Sequence, residues 1–173
     1  MSHDKVSVRE LPNYVTSNAA IIQQFNQYRE TDAVRRSHYF EGRYENMYLD
    51  LSKVPAMQTV MDRAQDFARQ ILNTTHQLKS GFWFNLMLPG QVTQLHSHDD
   101  DDECLSAVYY IDTPKDCGDL LLNIESEVIK ITPQAGQFVF FPPDVPHEVT
   151  ENKSNYERLS VGMNFGIKAS SEI

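Results

Sequence analysis

The chain has little cysteine, no basic cluster and no long apolar run, and each shortage closes off a class of protein. Its two cysteines, Cys104 and Cys117, stand in no metal-type spacing. A disulfide framework is therefore not expected, and both read as free thiols. No stretch approaches the ~18 consecutive apolar residues of a membrane span. The 24 acidic and 15 basic residues leave a formal net charge of -9. With no Lys/Arg patch, that balance argues against nucleic acid or an anionic membrane as partner. Met1-Ser2-His3-Asp4-Lys5 lacks the charged and apolar regions of a signal peptide, so a cytoplasmic location is expected. What is present suits a single domain over 1–173, since 40% hydrophobic residues can furnish a substantial core.

Periodicity divides the chain near residue 80, with 1–80 read as a mostly helical brace and 81–167 as a strand-rich core. Ala20, Ile21, Ile22, Phe25 and Tyr28 predict a helix over 18–29, with Ser17 and Asn18 as N-cap candidates. Met57, Val60, Met61, Ala64, Phe67, Ala68, Ile71 and Leu72 form one apolar stripe over 56–73, a helix that should pack on a sheet. Between them, 43–49 reads as an edge strand. Strands are expected at 82–88, 92–98, 105–112, 120–124, 128–132, 137–142 and 158–167, separated by turns at Pro89-Gly90, Asp116 to Gly118 and Gln134 to Gly136. Such regular short strands make an antiparallel sandwich or barrel.

The chemistry lies in this second half. Alternate residues of a strand share a face, so Gln94, His96 and His98 are expected to point together. His147 follows an apolar strand and a turn stiffened by Pro142, Pro143 and Pro146, which would fix its ring. Three imidazoles from two segments can occupy one face of a metal polyhedron and leave positions open for substrate or oxygen. His3, His38 and His76 stand alone and read as surface or satisfied core residues. The run Asp99 to Glu103 reads as a solvated hairpin tip and hints at a cationic substrate. His98-x-Asp100 nonetheless has the spacing of a His-x-Asp ligand pair, which keeps Asp100 as an alternative carboxylate.

Two family resemblances rest on these residues. Gly90-x5-His96-x-His98-x4-Glu103, with Gly136-x5-Pro142 and His147, resembles the paired cupin motifs, in which Glu103 would join the histidines on the metal. More of the chain is similar to the 2-oxoglutarate and Fe(II)-dependent oxygenases, closest to a His-x-His subgroup. That resemblance runs through Trp83-x-Asn85, His96-x-His98, 105–111, Gly136 to His147, and 158–165. It implies a mainly β fold with N-terminal helices: a double-stranded β-helix, or jelly-roll, cupin-like barrel braced by helices.

The oxygenase resemblance also implies roles. His96, His98 and His147 would bind Fe(II), with Asp100 or Glu103 as the alternative carboxylate ligand, and Arg158 and Ser160 would hold the distal carboxylate of 2-oxoglutarate with help from Tyr110. A carboxylate inside a barrel needs a paired charge and hydrogen bonds, and Arg158 can offer a bidentate fork. A surface ion pair with the adjacent Glu157 is the competing reading of Arg158. Asn85 and Asn164 occupy strand positions where an apolar residue is usual; each would either orient a ligand, as assigned to Asn85, or bond a neighbouring strand end. Trp83 reads as core, as does Cys104. The implied activity is O2-dependent hydroxylation, or a related oxidation, of a small molecule or peptide. A cupin-type metalloenzyme without 2-oxoglutarate and a metal-stabilised binding module are the alternatives. Related barrels pair through edge strands or the brace, so a homodimer is compatible with the sequence.

Overall fold

A computed structural model describes residues 4–97 and 102–168. In chain order the elements are β1 (Ser7–Glu10), α1 (Tyr14–Tyr28), β2 (Arg35–Phe40), β3 (Arg43–Tyr48), α2 (Met57–Leu72), β4 (Leu78–Met87), β5 (Thr93–His96), β6 (Leu105–Asp112), β7 (Leu120–Ile124), β8 (Glu127–Ile131), β9 (Gln137–Phe141), β10 (His147–Val149) and β11 (Arg158–Ile167). They form a seven-stranded sheet ordered β1-β9-β6-β11-β4-β3-β2 and a four-stranded sheet ordered β5-β10-β7-β8. Every pairing is antiparallel. The two sheets face each other as a jelly-roll, the expected double-stranded β-helix.

The seven-stranded sheet separates two apolar cores. On its helix side, Phe84, Ala107, Tyr109, Phe138, Phe140, Val161 and Phe165 pack with Val60, Met61, Ala64 and Ala68 of α2 and with Ile21 and Phe25 of α1. Phe67 of α2 meets Phe138 and Phe140 edge-on at centroid distances of 5.6 and 6.4 Å. On the other side, Met87, Tyr110, Leu122, Val139, Phe141 and Val149 fill the space between the sheets. Odd and even positions of one strand thus serve different cores, as the two-residue period requires.

Several expectations change here. The first eighty residues are less helical than their pattern implies, because β1, β2 and β3 extend the large sheet at its two ends. Residues 43–48 are not the edge; β2 covers them. Helix α1 starts at Tyr14, after Asn13 in the left-handed region, so Ser17 and Asn18 are not caps. Asn18 is buried within the helix, where its Oδ1 takes the Tyr109 hydroxyl proton at 2.6 Å. Strands β6, β7 and β11 match their expected bounds. Among the described residues, no helix is long and apolar enough to cross a membrane.

Candidate active site

A cavity of about 50 Å³ opens between the sheets, lined in part by Asn85, His96, Ser106, Tyr110, His147 and Ser160. One water needs roughly 10–15 Å³, so the cavity has room for a compact ligand rather than a large one. His96 and His147 sit directly across from each other in the β5–β10 pairing, with ring centroids 4.1 Å apart. Nδ1 of His96 lies 2.7 Å from the Gln94 carbonyl, and Nδ1 of His147 lies 3.0 Å from the Val145 carbonyl. A carbonyl only accepts, so each contact assigns the proton to Nδ1 and makes Nε2 the nitrogen with which each ring can ligate.

The approach of these two rings depends on an irregularity that alternation does not foresee. His147 pairs with His96 but Val149 pairs with Thr93, so β5 carries one extra residue over that stretch, a β-bulge. Thr93 and His96 consequently both line the cavity, while Gln94 is not among the lining residues. The expected shared face of Gln94 and His96 is lost, and Gln94 contributes main-chain groups instead. His98 and Asp100 lie outside the described residues. Among the described residues, no third His, Cys, Asp or Glu joins His96 and His147. Glu103 is accordingly not with them; its Oε1 accepts from Asn164 Nδ2 at 3.0 Å.

The opposite wall is a polar row across three neighbouring strands. Ser160 of β11 pairs with Asn85 of β4 on one side and with Tyr110 of β6 on the other. Tyr110 faces the cavity and Tyr109 the helices, which settles the register between them. Two residues before Ser160, Arg158 is 1% exposed. Its Nη1 lies 3.3 Å from Ser160 Oγ and 3.5 Å from Met87 Sδ, and its guanidinium carbon is 5.5 Å from the Tyr110 ring centre. The buried Cys117 thiol lies beside it, held above its usual pKa mainly by desolvation.

No carboxylate among the described residues pairs with Arg158. Glu157, the neighbour that could have claimed it, instead forms a two-point pair with Arg29 at 2.7 and 2.8 Å. Arg158 Nε, the Tyr110 hydroxyl and the Ser106 hydroxyl are buried with no hydrogen-bond partner among the described residues. Burial pushes the Tyr110 phenol up to about 12, so it remains a donor at neutral pH. A buried cation and buried donors without acceptors are costly, and an anion in the cavity is the complement they lack. A dicarboxylate reaching from the two imidazoles toward Arg158 fits this donor set.

The remaining candidates divide. Asn85 lines the cavity, but its Oδ1 accepts from Arg43 Nη2 at 2.8 Å and its Nδ2 donates to Thr93 Oγ1 at 3.2 Å. Asn164 bonds a neighbouring strand, accepting the Gly81 N–H at 3.1 Å. Trp83, read as core, lines the cavity instead and lies against Gly162, where a Cβ would run into the indole. Sequence reasoning missed Arg43 and Glu45, both buried on β3. Their signal was parity: with Met47 and Leu49 they form one alternating set, all buried, which a solvated edge strand would not contain.

Comparison with known proteins bears on the family and the fold. Residues 82–166 match the family model described as the 2OG-Fe(II) oxygenase superfamily. No curated protein matches the chain. Among solved structures, the fold is similar to a Pseudomonas putida prolyl-4-hydroxylase at TM-score 0.72 and 22% identity, over 94% of this chain and 92% of that one. It is also similar to a Trichoplax adhaerens prolyl hydroxylase in complex with a hypoxia inducible factor peptide fragment, at TM-score 0.71 and 14% identity over 95% and 84% of the chains. A third is the non-heme alpha ketoglutarate dependent epimerase SnoN of nogalamycin biosynthesis, at TM-score 0.76 and 13% identity over 95% and 77%. Residues 82–166 are therefore a 2OG-Fe(II) oxygenase superfamily domain.

Proposed function

We propose that this 2-oxoglutarate-dependent dioxygenase hydroxylates a small molecule or a peptide. In this reading His96, His98 and His147 hold Fe(II), and Arg158, Ser160, Tyr110 and Asn85 hold the co-substrate. Asp100 is the alternative third ligand, on its spacing from His98. The observation that supports the reading is Arg158, a fully buried cation with no carboxylate partner among the described residues, whose Nη1 lies 3.3 Å from the hydroxyl of Ser160, a residue that lines the cavity with His96 and His147. The metal and 2-oxoglutarate together supply O2 activation, with release of succinate and CO2.

The chain's own residues bind, orient and exclude water. The Nδ1 contacts fix both imidazole planes and their tautomer before metal arrives. Arg158 offers charge and Ser160 and Tyr110 offer hydroxyls to one carboxylate, the arrangement that makes a charge-assisted hydrogen bond strong. Val108, Leu120, Phe141 and Val149 are among the residues that line the cavity and give it an apolar part, which strengthens those electrostatic contacts. The compact cavity suits the co-substrate, leaving the oxidised group of the substrate to approach from its mouth. A peptide substrate is in keeping with the prolyl hydroxylase of similar fold that binds a peptide fragment, and a small molecule with SnoN.

The test is O2-dependent succinate formation with Fe(II). Arg158→Met should raise the 2-oxoglutarate KM by roughly a hundredfold, since losing a buried charged partner removes ~2–5 kcal/mol of binding. Succinate formation that is independent of Fe(II), or an unchanged KM in Arg158→Met, would contradict the reading.

A further inference from the structure

Arg43 lies outside the segment that matches the oxygenase superfamily, yet it reaches the cavity wall. It is 8% exposed, and its guanidinium is held at three points. Nη1 donates to the Val92 carbonyl at 2.7 Å, and Nη2 donates to the Leu86 carbonyl at 3.0 Å and to Asn85 Oδ1 at 2.8 Å. Its own counter-charge is the buried Glu45, 3.7 Å away, whose Oε1 also accepts the Gln94 N–H of the bulged strand β5 at 2.8 Å. The pair therefore ties β3 to β4, to the β4–β5 connection and to β5.

The contact with Asn85 has a chemical consequence. An amide can sit either way round by shape alone, with oxygen and nitrogen exchanged. A guanidinium has only donors, so the atom facing Arg43 must be the amide oxygen. That choice turns the Asn85 NH2 toward the cavity side, where one hydrogen goes to Thr93 Oγ1 at 3.2 Å and the second remains for a ligand. Asn85 stands level with Ser160 and Tyr110 across three strands, so its NH2 completes a row of donors.

We infer that Arg43 is a positioning residue for 2-oxoglutarate: it locks the Asn85 amide with its NH2 presented to the co-substrate. The inference rests on the proposed function and assigns a part of that site to a strand beyond the superfamily match. Without Arg43, the amide is free to turn its oxygen toward a bound carboxylate, an acceptor facing an acceptor. Arg43 itself need not touch the co-substrate.

The test is an anaerobic titration of the full chain with Fe(II) and then 2-oxoglutarate, following the charge-transfer band of the chelate. No turnover is involved. Arg43→Met and Asn85→Ala should each raise the 2-oxoglutarate Kd by roughly tenfold, the size of one well-placed hydrogen bond. The double variant should be no weaker than Asn85→Ala alone, because Arg43 acts only through Asn85. Iron affinity should not change. Arg43→Met leaves Glu45 buried without its counter-charge. Should it fail to fold, Arg43→Lys keeps the charge but not the three-point fork and should show an intermediate Kd at a near-native melting temperature. Folded Arg43 variants with the wild-type Kd, or losses that add in the double variant, would overturn the inference. A wild-type protein that binds Fe(II) and shows no 2-oxoglutarate band would overturn the proposed function itself, and the inference with it.

Discussion

The two faces of the seven-stranded sheet are built from the same strands and do opposite work. Tyr109 and Tyr110 are neighbours on β6, both fully buried, and burial pushes both phenols up. On the helix face, the Tyr109 hydroxyl donates to Asn18 at 2.6 Å among closely packed aromatics. On the cavity face, the Tyr110 hydroxyl has no hydrogen-bond partner among the described residues, and neither has Arg158 Nε. One face is finished within the chain. The other is left unsatisfied, and such groups persist where a ligand supplies the missing acceptors.

That contrast can be broken at its stable side first. Phe138→Ala removes a fully buried ring that stacks on Phe140, tilts against Tyr109 and meets Phe67 edge-on. It should cost about 3–5 kcal/mol in urea denaturation, with 2-oxoglutarate binding by the folded fraction unchanged. Tyr109→Phe leaves Asn18 Oδ1 without its donor and should cost ~1–3 kcal/mol. Tyr110→Phe should leave stability within ~0.5 kcal/mol while weakening 2-oxoglutarate binding. Equal stability losses for the two would erase the distinction between the faces.

The smallest effect belongs to the pair that leaves Arg158 without a carboxylate. The Arg29 guanidinium holds the Glu157 carboxyl below its usual range, chiefly through their hydrogen bonds. The contribution of this lowered pKa is present above the ordinary carboxylate range and is lost as pH falls through the depressed value. Because the pair is partly exposed, Arg29→Met should cost no more than ~1 kcal/mol near neutrality. The difference from wild type should shrink below about pH 4, measured as the gap between the two denaturation midpoints.

The barrel was legible in the sequence where both faces of a strand are buried. Leu105 to Asp112 and Arg158 to Ile167 read as strands with their observed bounds because nearly every residue is apolar or small. β2 escaped notice because Arg35-Arg36-Ser37-His38-Tyr39-Phe40 is an exposed edge whose polar pattern carries no alternation. β10 escaped because three residues are too few for a period to show. At the site, spacing brought His96 and His147 into view, but not the bulge that sets their separation, since an inserted residue leaves composition unchanged. Arg43 and Glu45 were hidden by their type: charged residues on a presumed edge read as solvated until their parity with Met47 and Leu49 is noticed.

On the proposed function, the unsatisfied face of the sheet would be a carboxylate receptor serving a metal held by His96 and His147. A crystal structure of the protein soaked anaerobically with Mn(II) and 2-oxoglutarate tests it most directly. The metal is expected on Nε2 of His96 and His147, with the distal carboxylate on Arg158 and within hydrogen-bond reach of Ser160 Oγ and the Tyr110 hydroxyl. A metal bound elsewhere, or a co-substrate whose distal carboxylate avoids Arg158, would contradict it.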